Sequence, residues 1–547
     1  MPDINTLVTF FGETFLTYIG DLDPVAKRKE GELTPETVSI LDSICMSTAY
    51  QDPQTRWMNV AASIMRYVGP ADISLGNYLR QLNGGDPVVL ETTDDELHNQ
   101  LITVAAALYP AFLVKRPDGE PLNGTLACGG EFMGHPQGLS FLVGALRDPD
   151  ISKLFPGVEP PVGQELGGQA RSVTGVESFL ATSKGGVQIL RLHSLGEHIL
   201  NNAFHRLVVQ GGEVSLQTFL AQVGEVLGDI RRLGRGESIG VTVAVGLSRL
   251  GLECKGIKLG DERIVKREFF YGRQGDGSPW APIVLLARQE YKIYAIKSVV
   301  WRDSMFEELD PTPYVDRTRE WHSAMELRVD RCCLSIFLAS GAARPTGAVV
   351  DFTAILDPFT HYPVEPWQSR PSPNVSGISL TQAAADEVAS WYSRVGQNHA
   401  ANLDVCIRRM VSACNSRYTP SDSLLDAVLA WENMFSGTPE TVLRVCGALS
   451  SLLAADTYKD RAELFSEMKK IYTARSQIVH GKTKRTLTED VIRAHADKAI
   501  EYAFKALRKL YDCPEVLALK DSDARGMAVL MGIAHDRGHM LSEGDKN

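Results

Sequence analysis

The hydrophobic period of this chain changes twice, and those changes limit the architectures open to it. Residues 1–145 carry apolar side chains at helical spacing over Leu7 to Ile19, Thr34 to Ser47, Thr55 to Val68 and Asp94 to Leu113. A Pro- and Gly-rich stretch within 146–170, FPGVEPPVGQELGG, predicts a linker, and a second helical stretch follows from Gly185 to Leu233. From Gly240 the pattern shortens. GVTVAVGLSRLGLE, IVLLARQEYKIYAI and AVVDFTAIL are rich in β-branched and aromatic residues and short enough for strands. RQGDGSPW (273–280) predicts a hairpin turn, and MELRVDRCCLSIFLAS (325–340) fits either period. A Pro-rich connector, DPFTHYPVEPWQSRPSPNVSG, precedes a return to helix over 380–511.

That order predicts an α+β multidomain protein: a helical N-terminal region, a mixed α/β middle and a C-terminal all-α bundle. At 547 residues the chain also exceeds what one hydrophobic core usually organises. Period and composition divide it into 1–145, a linker and helical region over 146–235, a mixed region over 236–377, a bundle over 378–515 and a tail over 516–547 ending in the polar SEGDKN. Thr486 with Glu489 has the spacing of a capping box before the last helix, and Gly481 follows the preceding helix as a C′ glycine.

Hydrophobic residues make up 44% and charged residues 22%, an ordinary globular balance. A net charge of −11 argues against a protein that wraps nucleic acid over its whole surface, but leaves room for a local basic site. Nine cysteines without a Cys-x-x-Cys pair predict buried, reduced thiols and a cytoplasmic setting. MPDINTLVTF lacks the basic flank of a signal peptide, and Leu101 to Val114 is too short to span a bilayer, so no membrane association is expected.

Chemistry concentrates near the C-terminus. On a wheel of 100° per residue with Leu464 at zero, Met468, Ile471, Ile478 and Val479 fall between about −40° and 60°, and Arg475 falls among them at about 20°. A guanidinium on an apolar stripe must be paired or must serve a site. In DSLLDAVLAWENMF, Leu424, Leu425, Val428, Trp431 and Phe435 form a second stripe that includes Glu432. Two helices each hiding one complementary charge predict that Glu432 meets or orients Arg475. His480 stands five residues beyond Arg475, at the helix end, where an imidazole can act as general acid or base. Lys482, Lys484 and Arg485 follow, suited to phosphate oxygens.

Arg475 and His480, with the blocks RRMVSACNSRYTPSDSLLDAVLAWENMF (408–435) and AELFSEMKKIYTARSQIVHG (462–481), resemble the Apea-like branch of the HEPN nucleases over about 130 residues. The resemblance implies metal-independent RNA cleavage without a cofactor, with His480 as acid or base on the ribose 2′-OH or the leaving oxygen and Arg475 on the phosphoryl charge. It also implies a homodimer or higher homo-oligomer, RNA (often tRNA in the family) as substrate, and a role in anti-phage defence with a phage-derived trigger sensed by the preceding regions. Many family members carry Asn directly after the arginine; here it is Ser476. A rival reading is a non-catalytic HEPN module in a binding or scaffold protein, which Ser476 favours. His193, His198 and His205, the Cys128–His135 turn, and His495 have no metal-ligand spacing and are expected to be structural.

Overall fold

A computed structural model describes residues 4–20, 33–68, 73–117, 126–161, 173–266, 283–300, 309–360, 364–366, 377–399, 401–437, 440–454, 457–481 and 487–532. It is an α+β protein with a helical C-terminal region. The N-terminal helices are α1 (Ile4–Phe11), α2 (Glu13–Ile19), α3 (Pro35–Thr48) and α4 (Pro53–Met65). After a two-stranded ribbon, β1 (Tyr67–Val68) and β2 (Ile73–Ser74), come α5 (Leu75–Leu82), α6 (Glu96–Phe112), α7 (Gly129–Gly134) and α8 (Pro136–Ala145). Their starts follow local chemistry: Thr34, Asp52 and Asp95 each accept a backbone N–H at the first turn of α3, α4 and α6. Gly12, at φ 82, separates α1 from α2 inside the first predicted helix, and α4 stops at Met65 where the run to Val68 had predicted helix.

The expected linker is packed where it is described. Ile151, Leu154 and Phe155 are buried, and Asp148 and Asp150 pair with Arg231 and Arg235. Its turn-forming composition hides three apolar side chains that fill a gap in the core. A hairpin of β3 (Val176–Thr182) and β4 (Val187–Arg191) has Gly185 in its turn, so the region expected to be helical from Gly185 begins instead with a strand, before α9 (Leu195–Gln210) and α10 (Leu216–Gly234). Every residue of β3 is buried, so no polar alternation marks it as a strand.

The mixed middle contains β5 (Ile239–Ser248), β6 (Leu250–Leu252), β7 (Gly256–Leu259), β8 (Glu262–Lys266), β9 (Ile283–Tyr291) and β10 (Ile293–Val300). Then follow α11 (Val315–Ser340), β11 (Val349–Ile355), β12 (Val364–Pro366) and β13 (Ile378–Leu380). The ambiguous segment 325–340 is therefore helix, the second half of α11. The predicted strand from Ile283 to Ile296 is two strands of different sheets, β9 and β10, with Lys292 between them. A six-stranded sheet has the order β12-β11-β5-β9-β8-β7, and a three-stranded sheet the order β10-β3-β4. On β5, Ile239, Val241, Val243, Val245 and Leu247 face the main core, while Ala244 on the outer face joins a small cluster with Val265, Val284, Leu286 and Phe352. The turn expected at 273–280 lies outside the described residues.

Six long helices make the C-terminal region: α12 (Gln382–Asn398), α13 (Asp404–Asn415), α14 (Pro420–Phe435), α15 (Thr441–Leu453), α16 (Tyr458–Val479) and α17 (Glu489–Tyr511). The cap of α17 is Thr488, which accepts from Val491 N; Thr486 lies outside the described residues. Beyond 515 the chain is not a tail through Leu530. The helices α18 (Pro514–Leu517) and α19 (Ser522–Leu530) pack back on the bundle, and Gly526 admits the Phe435 carbonyl to 2.8 Å of where a Cβ would stand. Arg525 is fully buried and closes the C-terminal end of α14. It donates from Nε to Met434 O at 3.1 Å, from Nη2 to Asn433 O at 2.8 Å and from Nη1 to Asn402 Oδ1 at 2.8 Å.

Arg525→Ala would leave those acceptors unpaired and open a cavity, so it is expected to lower stability by about 3 kcal/mol. Arg525→Lys should recover only part of that, because one ammonium does not reproduce the planar fork. Denaturant melts of both variants check this; equal midpoints for wild type and Arg525→Ala would remove this arginine from the account of how α14 ends.

Candidate active site

Helix α14 starts at the Thr419 cap with Pro420 in its first turn, and α16 starts at the Thr457 cap. Trp431, fully buried, donates Nε1 to Ala499 O of α17 at 3.0 Å and so fixes the rotation of α14. That rotation turns the next residue, Glu432, toward α16. There Arg475 Nη2 donates to Glu432 Oε2 at 3.4 Å, and Tyr472, one turn earlier, donates its hydroxyl to Glu432 Oε1 in a very short contact. The Arg475 guanidinium also lies 5.8 Å from the centre of the Tyr472 ring. Burial and the neighbouring carboxylate push the Tyr472 phenol well above its usual range, which keeps it a neutral donor.

The predicted pairing of Glu432 with Arg475 is thus present, but its setting differs from the buried stripe drawn on the wheel. The two side chains keep 21% and 20% of their surface exposed. Arg475 Nε is buried without a hydrogen-bond partner among the described residues. Of the five guanidinium N–H groups, one is committed to Glu432.

His480 is exposed and forms the C-cap of α16, its backbone N–H donating to Ser476 O at 3.1 Å. Gly481 follows at φ 61, a left-handed conformation that ends the helix. Ser476 is half-buried, and Val479, on the wheel an apolar-stripe residue, is 52% exposed. Because α16 is regular through Val479, the five-residue step puts Arg475 and His480 about 140° apart around the helix. Arg475 faces α14, and His480 faces the opposite flank. Lys482, Lys484 and Arg485 lie outside the described residues.

That opposite flank holds a feature that periodicity alone does not reveal. A groove of about 340 Å³ runs between α16 and α17, lined from α16 by Ser466, Lys469, Lys470, Thr473 and Gln477 and from α17 by His495. His480 stands three residues beyond Gln477, on the same stripe. His495, expected as a core histidine, is half-buried in the groove wall; burial lowers its pKa, helped by Lys470 and opposed by Glu467.

Of the other histidines noted in the sequence, His193 is half-buried just ahead of α9. His198 and His205 are buried in α9, and among the described residues no group of three metal-ligating side chains converges. Beside Cys128 the notable group is Glu197, 8% exposed, whose carboxylate accepts from the backbone of Cys128 and Gly129 and lies 2.5 Å from where a Gly129 Cβ would stand. Burial pushes its carboxyl up to about 7. Compared with protein-family models, with curated proteins and with solved structures, the chain matches none.

Two outcomes follow from this geometry. With both partners one-fifth exposed, Arg475→Ala is expected to cost about 1–2 kcal/mol rather than the penalty of a stranded, fully buried charge. Glu432→Gln, which keeps an acceptor for Tyr472, should cost less than Glu432→Ala; melts of the three variants check the order. For Glu197, the folded protein keeps its proton up to about pH 7 while the unfolded chain loses it near 4.5, the ordinary value for a glutamate. Stability from this group is therefore complete below about pH 4.5 and lost as pH rises through 7. Glu197→Gln should melt above wild type at pH 8, with the gap closing at pH 4; a gap independent of pH would overturn the assignment.

Proposed function

We propose that the C-terminal bundle is an Apea-like HEPN ribonuclease that cuts RNA by acid–base chemistry without a metal ion. The observation that carries the reading is Arg475: a guanidinium anchored by one contact to a Glu432 whose other oxygen is taken by Tyr472, on the helix that ends at the exposed His480. Anchoring at one point leaves guanidinium N–H groups other than the buried Nε–H for phosphoryl oxygens. The imidazole takes the proton of the ribose 2′-OH, the 2′ oxygen bonds to phosphorus, and the bond to the 5′ oxygen breaks as that oxygen takes up the proton returned by the imidazolium, directly or through water. The products are a 2′,3′-cyclic phosphate and a 5′-hydroxyl. Lys482, Lys484 and Arg485 would hold neighbouring phosphates, and Ser476 would contribute a hydroxyl. In this reading the protein is a cytoplasmic anti-phage effector whose residues 1–375 respond to a phage-derived trigger.

The 140° between Arg475 and His480 on one helix favours a composite site, in which two copies of the chain bring the arginine of one to the histidine of the other. A second reading, the non-catalytic HEPN module, draws on the same separation and on Ser476.

Incubation of purified protein with total RNA in EDTA should give cyclic-phosphate ends, and His480→Ala should abolish them while shifting stability by about 1 kcal/mol or less. Mixing inactive Arg475→Ala and His480→Ala chains should restore about a quarter of wild-type cleavage, since half the dimers then carry one complete site. Normal cleavage by His480→Ala would replace this reading with the binding module, and a mixture as inactive as its parts would place both residues of a site in one chain.

A further inference from the structure

The outer face of the six-stranded sheet carries a charge arrangement that folding alone does not favour. In the β7–β8 hairpin the register sets Lys258 directly opposite Arg263, and like charges facing each other across a ladder are destabilising. Arg263 in turn faces Leu286 of β9, so Arg288, two residues on, lies diagonally on the same face. Lys255 stands at the start of the hairpin. These four side chains are exposed and line a depression of about 580 Å³ floored by Val265 and Leu286.

Their charges are left open. Among the described residues the side chains of Lys255, Lys258 and Arg288 make no hydrogen bond or ion pair, and Arg263 gives one N–H to Gln210 O at 3.0 Å. Of the two carboxylates on the rim, Glu262 is taken up by Arg328 at 3.6 Å, which leaves Asp261 in the hairpin turn. Gly240 makes room for the arrangement, since a Cβ there would come 2.2 Å from Arg288 Nε. The net charge of the chain is −11, so four unpaired cations on one sheet face are not a by-product of general basicity.

We propose that this face is a docking site for a single-stranded nucleic acid, bound through its phosphodiester backbone. From β7 to β9 the cations span two interstrand spacings, about 10 Å, more than one phosphate group bridges. A chain of phosphates matches that spread, and its binding relieves the repulsion between Lys258 and Arg263. No aromatic side chain lines the depression among the described residues, so bases are not stacked and sequence is not read. RNA and DNA strands should therefore bind alike. The site lies on the middle sheet and is read by binding, so it stands or falls separately from the cleavage assigned to Arg475 and His480.

The test is fluorescence anisotropy with a labelled 20-nucleotide RNA, and DNA of the same sequence, against full-length His480→Ala protein, in which cleavage does not consume the probe. With about four phosphate contacts, log affinity should fall against log salt with a slope of about −3, and Lys258→Gln with Arg288→Gln should flatten it by about 1.4. That double variant should bind both strands at least about tenfold more weakly. Without nucleic acid, Lys258→Gln alone should melt at or above the wild-type temperature, because it removes a repulsion; a loss of binding with a raised melting point excludes simple misfolding. Unchanged affinity and slope in the double variant would overturn the proposal. So would inorganic tripolyphosphate binding more tightly than the strands, which would make this a pocket for a small oligophosphate.

Discussion

The candidate site depends on where α14 ends, and α14 ends where Arg525 holds it. Three hydrogen bonds from a guanidinium with no exposed surface satisfy the Asn433 and Met434 carbonyls and reach Asn402. A helix C-terminus carries orphan carbonyls and a partial negative charge, so a buried cation can be accommodated there without a carboxylate partner. Glu432 lies one residue before that clamp, and the Trp431 indole, bonded to Ala499 O, sets the rotation. Glu432 therefore reaches Arg475 from a fixed position. The same device recurs at the end of α11, where Arg508 of α17 donates to Leu338 O at 3.1 Å and Phe337 O at 3.4 Å. Arginines from distant parts of the chain thus tie helix ends to neighbouring elements, and most buried apolar side chains from Leu7 to Val529 belong to one connected cluster, beside the small one on the outer sheet face.

Within the bundle, structural and candidate functional charges separate by how fully they are paired. Asp426, six residues before Glu432 on α14, is 2% exposed and meets Arg409 at 2.8 Å and Arg417 at 2.5 Å, so its charge is spent on joining α13 to α14. Arg475 is in the opposite condition: partly exposed, with one carboxylate contact at 3.4 Å and Nε unsatisfied. Under-committed donors of this kind are costly to a fold and useful to a ligand. The cations on the outer sheet face share that condition, for the different reason of cross-strand repulsion.

Legibility in the sequence followed the range of the interaction. The Glu432–Arg475 contact could be anticipated because each charge stands on an apolar stripe, and a stripe of period 3.6 predicts which residues turn inward. Gly481 as the stop of α16 was equally local. What failed was anything set by distant partners. The hairpin at 176–191 is buried along the whole of β3, so it lacks the alternation that marks a strand. The packed segment around Ile151 to Phe155 is loop-like in composition and is held by Arg231 and Arg235, some eighty residues away. The groove between α16 and α17 exists because α17 returns alongside α16 with His495 facing Lys470, a juxtaposition that neither helix encodes alone. Likewise the helices beyond 515 read as a polar tail because the key residue, Arg525, is charged, and only its carbonyl partners make its burial tolerable.

Helix α11 has a mechanical meaning. Twenty-six residues make a rod of about 39 Å. Its N-terminal half and midpoint are fastened to the six-stranded sheet: Gln289 Nε2 donates to Trp321 O at 3.2 Å, and Arg328 Nη1 to the backbone oxygen of Arg288 at 2.7 Å. Its C-terminal half is fastened to the bundle, where Arg331 donates to Tyr392 O, Phe337 packs edge-on against Phe504, and Arg508 caps the end. A rod clamped at both ends tilts as a unit rather than bending. The sheet and the bundle are thereby held at a separation set by one helix, and Gly341, at φ 65, turns the chain out of it.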